Sequence, residues 1–163
     1  MSSNDDLQEL FNKAYFYLKF RPRTKKEMQK YLYKKIQKRH FSRIDADKVI
    51  ADLEEQGLID DQAFVEWFVE QRARGKPKGG FVLKGELLRL GISKELIDKY
   101  LQNNPLDEEK LAFQALKSKW HLFKHLPKKE RFEKSAAFLF RRGFSFDTIR
   151  SAIRKMEETE LDY

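Results

Sequence analysis

The sequence predicts an all-α protein built from three tandem three-helix repeats, and three observations carry that expectation. Apolar residues recur at three and four positions along most of the chain, the period of one helix face. Glycine and proline number only 7 and 4 in 163 residues, too little punctuation for many short strands and turns. A helix, stop, cap and helix pattern also comes round three times.

In the first round, Leu7, Leu10, Phe11, Ala14 and Leu18 share one helix face. Asp5 or Asp6 is placed to cap this helix, and Arg21-Pro22 ends it, because proline disfavours helix in the residue before it. Thr24-Lys25-Lys26-Glu27 fits a capping box, in which the threonine oxygen accepts from the Glu27 amide and the glutamate accepts from the Thr24 amide. Met28, Leu32 and Ile36 form the stripe of a second helix. A third runs from about Asp45 to Gln56 on Val49, Ile50 and Leu53, with Gly57 just past its end.

The second round opens with Asp60 or Asp61 as cap and carries Phe64, Trp67 and Phe68 to a stop near Arg74-Gly75. After the loop Lys76-Pro77-Lys78-Gly79-Gly80, a short helix bears Leu83, Leu87 and Leu90 and stops at Gly91. Ser93 caps the next, built on Leu96, Ile97, Tyr100 and Leu101, which Asn103-Asn104-Pro105 breaks. In the third round Asp107 caps a helix on Leu111, Ala112, Ala115, Leu116 and Phe123. Pro127 is expected at the first position of a helix carrying Phe132, Ala136, Leu139 and Phe140 up to Gly143. Ser145 caps the last, on Ile149, Ala152, Ile153 and Met156.

Leu87, Gly91, Ile92, Ser93, Ile97 and Leu101 match Leu139, Gly143, Phe144, Ser145, Ile149 and Ile153 at a constant offset. Ile44, Val49 and Leu53 are set in step with Ile92, Ile97 and Leu101, and Ile59-Asp60 answers Leu106-Asp107. The expected repeats are residues 1–57, 58–104 and 105–156, with an acidic, fraying tail at 157–163. A unit of about 50 residues is marginal alone. Neighbouring units are therefore expected to stack into an elongated, curved rod.

Net charge is +8, and it is unevenly placed: from Arg21 to Arg43 ten Lys/Arg face a single acid, Glu27. Such a balance points to an anionic partner, whether nucleic acid, nucleoprotein or a membrane surface. The absence of cysteine excludes a disulfide framework, a thiolate zinc site and a cysteine nucleophile, and suits a reducing compartment. No run approaches the ~20 apolar residues of a membrane span, and the polar, acidic start does not read as an export signal. A cytoplasmic location without membrane attachment is the expectation.

Catalytic constellations find little support, and the expectation is no enzyme and no cofactor. His121 and His125, four apart, lack the glutamate of a zinc-protease helix, and His40 is distant in sequence. Asp60-Asp61 resembles a paired-carboxylate metal site but stands where a helix cap belongs. Gly75 to Gly80 lacks the terminal Lys-Ser/Thr of a nucleotide-binding loop. The basic sets at the turns between helices are the stronger signal. They comprise Arg21, Arg23, Lys25 and Lys26, then Arg72, Arg74, Lys76 and Lys78, with Lys30, Lys34, Lys124, Lys128, Lys129 and Arg131 as secondary candidates. Among the aromatics, Trp67 and Trp120 are expected in cores at helical spacing. Tyr15, Tyr17 and Tyr33 are candidate contact residues, and Tyr17 and Tyr33 lie off the main stripes.

The segment Ala14-Tyr-Phe-Tyr-Leu-Lys-Phe-Arg-Pro-Arg-Thr-Lys-Lys-Glu-Met28 with Tyr31-Leu32 resembles the opening of the RecX family. So do Gly57-Leu-Ile-Asp-Asp61, Phe64, Arg72-Ala-Arg-Gly-Lys76, Glu86-Leu87 and Leu90-Gly91-Ile92, in that order. The resemblance spans residues 7 to 155. It implies a three-unit helical regulator, usually inhibitory, of the RecA recombinase. Such a regulator binds in the groove of the RecA filament on single-stranded DNA, touches bare DNA weakly if at all, and works as a monomer without catalytic residues. The first eight basic residues named above are then the expected contacts. An independent helix-turn-helix DNA-binding protein is the alternative and a nuclease a distant third. Where the family carries a more basic stretch, this chain has Lys78-Gly-Gly-Phe-Val-Leu-Lys-Gly85, so a shorter or looser helix is expected there.

Overall fold

The computed structural model describes residues 3–37 and 41–161, and every regular element among them is an α-helix. In chain order these are α1 (Ser3–Leu18), α2 (Lys25–Ile36), α3 (Arg43–Glu55), α4 (Asp61–Arg74), α5 (Gly80–Arg89), α6 (Lys94–Asn103), α7 (Glu108–Phe123), α8 (Lys128–Arg141) and α9 (Phe146–Leu161). The chain gathers into two compact units, one of Met1–Glu66 with Leu87–Ile97, the other of Trp67–Glu86 with Asp98–Tyr163. The unit edges fall inside α4, α5 and α6, so the helices of the second sequence repeat are divided between them.

In the first unit, α1, α2 and α3 pool Leu10, Ala14, Met28, Leu32, Ile36, Ala46, Val49, Ile50 and Leu53 with Ile59 in one apolar core. The capping box at Thr24 forms as expected, and the threonine is wholly buried. Asp5 and Asp6 differ from expectation: both lie inside the first turn of α1, where a carboxylate meets the helix dipole rather than capping it.

The start of α3 is also corrected. Ser42 and Asp45 form a second capping box, so the helix begins at Arg43 rather than near Asp45. This changes the register of the first repeat. Ile44, set in step with Ile92, is 68% exposed whereas Ile92 is 2% exposed. Aligning caps instead, Ser42 with Ser93 and Ser145, brings the buried Ala46, Ile97 and Ile149 together. The cap, not the apolar count, sets which face is buried.

In the second unit α7, α8 and α9 enclose Ala112, Ala115, Leu116, Trp120, Phe138, Leu139, Phe144, Ile149, Ala152, Ile153 and Met156. Asp107 caps α7 through the Lys110 amide at 3.1 Å, and Ser145 caps α9 through Thr148. Pro127 stands at the N-cap of α8, one place before the expected position. Phe140 is 72% exposed while Phe138 is buried, because the face centred on Ser135 and Leu139 turns its neighbour about 100° away. The acidic tail is helical as far as Leu161. Glu157 accepts from Arg131 Nε and Nη2 at 3.2 and 3.1 Å, which ties that turn to α8.

The glycine-rich segment has a packing reason. Gly79 N–H donates to Arg142 O at 2.7 Å, and the Gly80 amide donates to Glu108 at 2.7 Å. At Gly79 the chain runs against Gly143, itself at φ +90, so neither position has room for a side chain. The following helix keeps ten residues. No helix among the described residues is long and apolar enough to cross a membrane.

Candidate cationic groove

The basic residues put forward by the sequence separate into those paired with a carboxylate and those without an ion pair among the described residues. Glu27 gathers Arg21, at 2.5 and 3.1 Å through two nitrogens, and Arg23 at 3.8 Å. Arg23 also donates to Tyr17 O at 3.1 Å, lies 3.8 Å over the Tyr17 ring, and leaves its side chain 13% exposed. Arg21 lies 5.9 Å from the Phe64 ring centre and donates to Pro22 O. Both arginines are committed to holding α2 against its own turn.

Lys25 pairs with Glu54 at 3.0 Å, and its hydrogen bond to that carboxylate holds its pKa above the usual lysine value. The Lys25 amide is taken by Asp61 at 2.8 Å. Asp60 is therefore the cap of α4, accepting from the Ala63 amide at 3.1 Å, and burial pushes the Asp61 carboxyl up. The paired-carboxylate metal reading loses both residues to these roles.

The remaining cations of the first unit make a row. Lys26, Lys30 and Lys34 stand four apart on α2, one side chain per turn at ~6 Å steps. They line a groove of about 790 Å³ with Tyr17, Glu27, Gln29, Tyr31, Tyr33, Gln37 and the segment Arg89-Leu90-Gly91. Among the described residues none of the three lysines nor Arg89 has an ion-pair partner. Thr24 Oγ1 donates to Leu90 O at 2.6 Å, which fixes the Arg89-Leu90-Gly91 segment to the start of α2. Gly91, at φ +90, gives the Lys26 stem its place: a side chain on Gly91 would collide with it.

Aromatic rings wall this groove, and each has a charged or aromatic neighbour over at least one face. Tyr17 and Tyr31 stack at 4.0 Å, with Arg23 on the outer face of Tyr17 and Lys35 5.3 Å from Tyr31. Burial raises the Tyr31 pKa. Tyr33 donates to Asp47 at 2.6 Å, accepts from Gln29, and lies under Arg43 at 5.1 Å. That hydrogen bond to a carboxylate raises the Tyr33 pKa.

In the second unit Glu86 plays the part that Glu27 plays in the first. It accepts from Arg72 at 2.7 Å and from Lys78. Burial pushes the Glu86 carboxyl up, but the bonds from Lys78 and Arg72 outweigh it and leave the pKa below the usual glutamate value. A group depressed on folding contributes stability above its unfolded pKa and loses it as pH falls through the folded one. Glu86→Gln should therefore flatten the acid limb of a stability–pH curve taken by urea titration between pH 6 and 3. An unchanged limb would mean the bridge contributes nothing.

Arg74 pairs with Glu70 at 2.8 Å in an exposed i,i+4 contact, and Lys76 is exposed with no ion pair among the described residues. Lys124, Lys128 and Lys129 are exposed, while Arg131 is held by Glu157. Trp120 is buried as expected and Trp67 half-buried; Tyr15 is exposed and stacks on Phe11. His121 ends on α7 and His125 lies beyond it, so they do not share a helix face. His40 lies outside the described residues. Among the described residues no three His, Asp or Glu converge to hold a metal.

Arg89, Gln29 and Tyr31 were missed by the sequence reading. Arg89 stands two residues before a glycine stop, a place that reads as a helix end and not as a wall for a helix sixty residues earlier.

Comparison with known proteins gives a consistent answer. Residues 60–101 match the family model described as RecX, second three-helix domain, and residues 107–153 match RecX, third three-helix domain. A regulatory protein RecX of Chlorobium phaeobacteroides is 34% identical over 156 residues, 94% of this chain and 96% of that protein. The relative from Oceanobacillus iheyensis, also a regulatory protein RecX, is 28% identical, and this chain spans 58% of its length. The crystal structure of RecX from Lactobacillus salivarius superposes with a TM-score of 0.76 at 23% identity, covering 94% of this chain and 98% of that one.

Proposed function

Because the chain belongs to the RecX family of regulatory proteins, we propose that it regulates the RecA recombinase by binding the RecA filament on single-stranded DNA. The observation that carries this reading is the row Lys26, Lys30 and Lys34 with Arg89 in one groove, none of them ion-paired among the described residues. A polymer of repeating negative charge is the partner such a row fits. Binding several subunits at once favours one filament state over another, and a ligand shifts that equilibrium only by its difference in affinity for the two. Restraint of ATP turnover and strand exchange follows without any chemistry by the regulator, which works as a cytoplasmic monomer.

Of the contacts first expected from sequence, Lys26 and Lys76 are the ones left without an internal partner, so they rank above Arg21, Arg23, Arg72 and Lys78 as filament contacts. Co-sedimentation with RecA on single-stranded DNA, with and without ATP, tests the proposal. The chain should pellet with the nucleotide-bound filament, and its ATPase should fall as regulator is added. Equal pelleting with DNA alone would favour an independent DNA-binding protein.

A further inference from the structure

We infer that the groove on α2 takes the phosphodiester backbone of a nucleic-acid strand, and reads it without contacting the bases by stacking. This deepens the reading above and rests on it for the biological setting. Three observations support it. Lys26, Lys30 and Lys34 recur four apart on α2, about one cation per helical turn, and Arg89 lines the same groove. A row of point charges at regular steps suits the evenly spaced phosphates of a strand better than the irregular acids of a protein surface. The one carboxylate in the lining, Glu27, is neutralised by Arg21 and Arg23, so it does not repel a phosphate.

The third observation concerns the rings. Strand-binding grooves ordinarily combine cations with open aromatic faces on which bases stack. Here Tyr17 is sandwiched between Arg23 and Tyr31, Tyr31 has Lys35 beyond it, and Arg43 lies over Tyr33. Tyr17 has a neighbour on both faces, and Tyr31 and Tyr33 each carry a cation over the ring, so the rings are engaged within the wall. Gln29 is likewise engaged with Tyr33. What the groove offers is charge at fixed spacing, which every sequence of bases satisfies equally.

The test uses the full chain and fluorescence anisotropy with labelled oligonucleotides: oligo-dT, a mixed sequence of equal length, an abasic strand and a duplex. A polyglutamate peptide of equal charge serves as competitor. The triple variant Lys30→Ala, Lys34→Ala, Arg89→Ala is compared with wild type after circular dichroism shows equal helix content. Wild type should bind the oligo-dT, mixed and abasic strands alike, and the slope of log K against log salt should fall by about 0.7 per cation removed. At 0.1 M salt the triple variant should be on the order of a hundredfold weaker.

An unchanged slope in the variant, a tenfold preference for bases over abasic strand, or displacement by polyglutamate in preference to strand would each overturn the inference. Duplex binding at equal strength supports backbone recognition; duplex binding that the triple variant retains opposes it. If strand binding behaves as stated while co-sedimentation with RecA fails, the backbone groove stands and the RecA reading falls. If RecA binding holds while the strand is ignored, the reverse is true.

Discussion

Gly79→Ala should cost the protein on the order of 3 kcal/mol, moving its urea midpoint well below that of the parent. The methyl group would be driven into the carbonyl of Gly143 and lie 2.8 Å from the Phe144 nitrogen. These are backbone atoms, so no rotamer change removes the overlap. Backing the chains apart would also stretch the Gly79 N–H bond to Arg142 O, now 2.7 Å. Gly57→Ala is the proper comparison. Gly57 sits at φ +73 with nothing within 4 Å of where the methyl would go, so it incurs only the left-handed backbone cost, ~1 kcal/mol. Equal losses in the two variants would show that the close crossing, as opposed to backbone conformation, contributes little.

Glu27→Ala should lower stability by about 2–3 kcal/mol, the second large effect. The substitution removes the reciprocal half of the Thr24 capping box and strands two guanidinium groups, of which Arg23 is almost enclosed. An ion pair at the surface would be worth far less and would fade with salt. Thermal melts of Glu27→Ala, Arg21→Ala and the double variant separate the possibilities. Because Arg21 is already orphaned when Glu27 is absent, the double variant should lie close to Glu27→Ala, and strict additivity would mean that the pair does not interact. A second expected consequence is functional: with Glu27 gone, Arg21 and Arg23 are freed beside the groove, so strand affinity should not fall.

The helices were largely readable because their ends are written in short range. Thr24-x-x-Glu27, Asp107, Ser145 and the glycines at 57, 91 and 143 each fix a terminus through atoms three or four residues away. Elsewhere two local signals compete, or the deciding partner is distant in sequence. Ser42-x-x-Asp45 sets the start of α3, and with it a register of the first repeat that the apolar alignment of Ile44 does not give. Phe140, placed on the apolar stripe by its spacing, is exposed, and Phe138 on the other side of Leu139 is buried in its stead.

The candidate groove was legible in part. Clustering of positive charge between Arg21 and Arg43 could be seen, but which charges are free could not. Arg21 and Arg72 look in sequence like Lys26 and Lys76; only the carboxylates of Glu27 and Glu86, six and fourteen residues away, distinguish them. Charge count gives the sign of a partner, and the internal pairings decide which cations are left to meet it.

The bond from Thr24 to the Leu90 carbonyl joins residues 66 apart in sequence, and this orders events during synthesis. The apolar core of the first unit draws its buried residues from Leu10 to Ile59 and so can gather early. Its lysine row is exposed from that moment, yet Arg89 and the Leu90 anchor emerge from the ribosome some thirty residues later. A nascent chain therefore displays a naked basic ridge before it owns a groove, and completes that groove only once translation has passed Gly91.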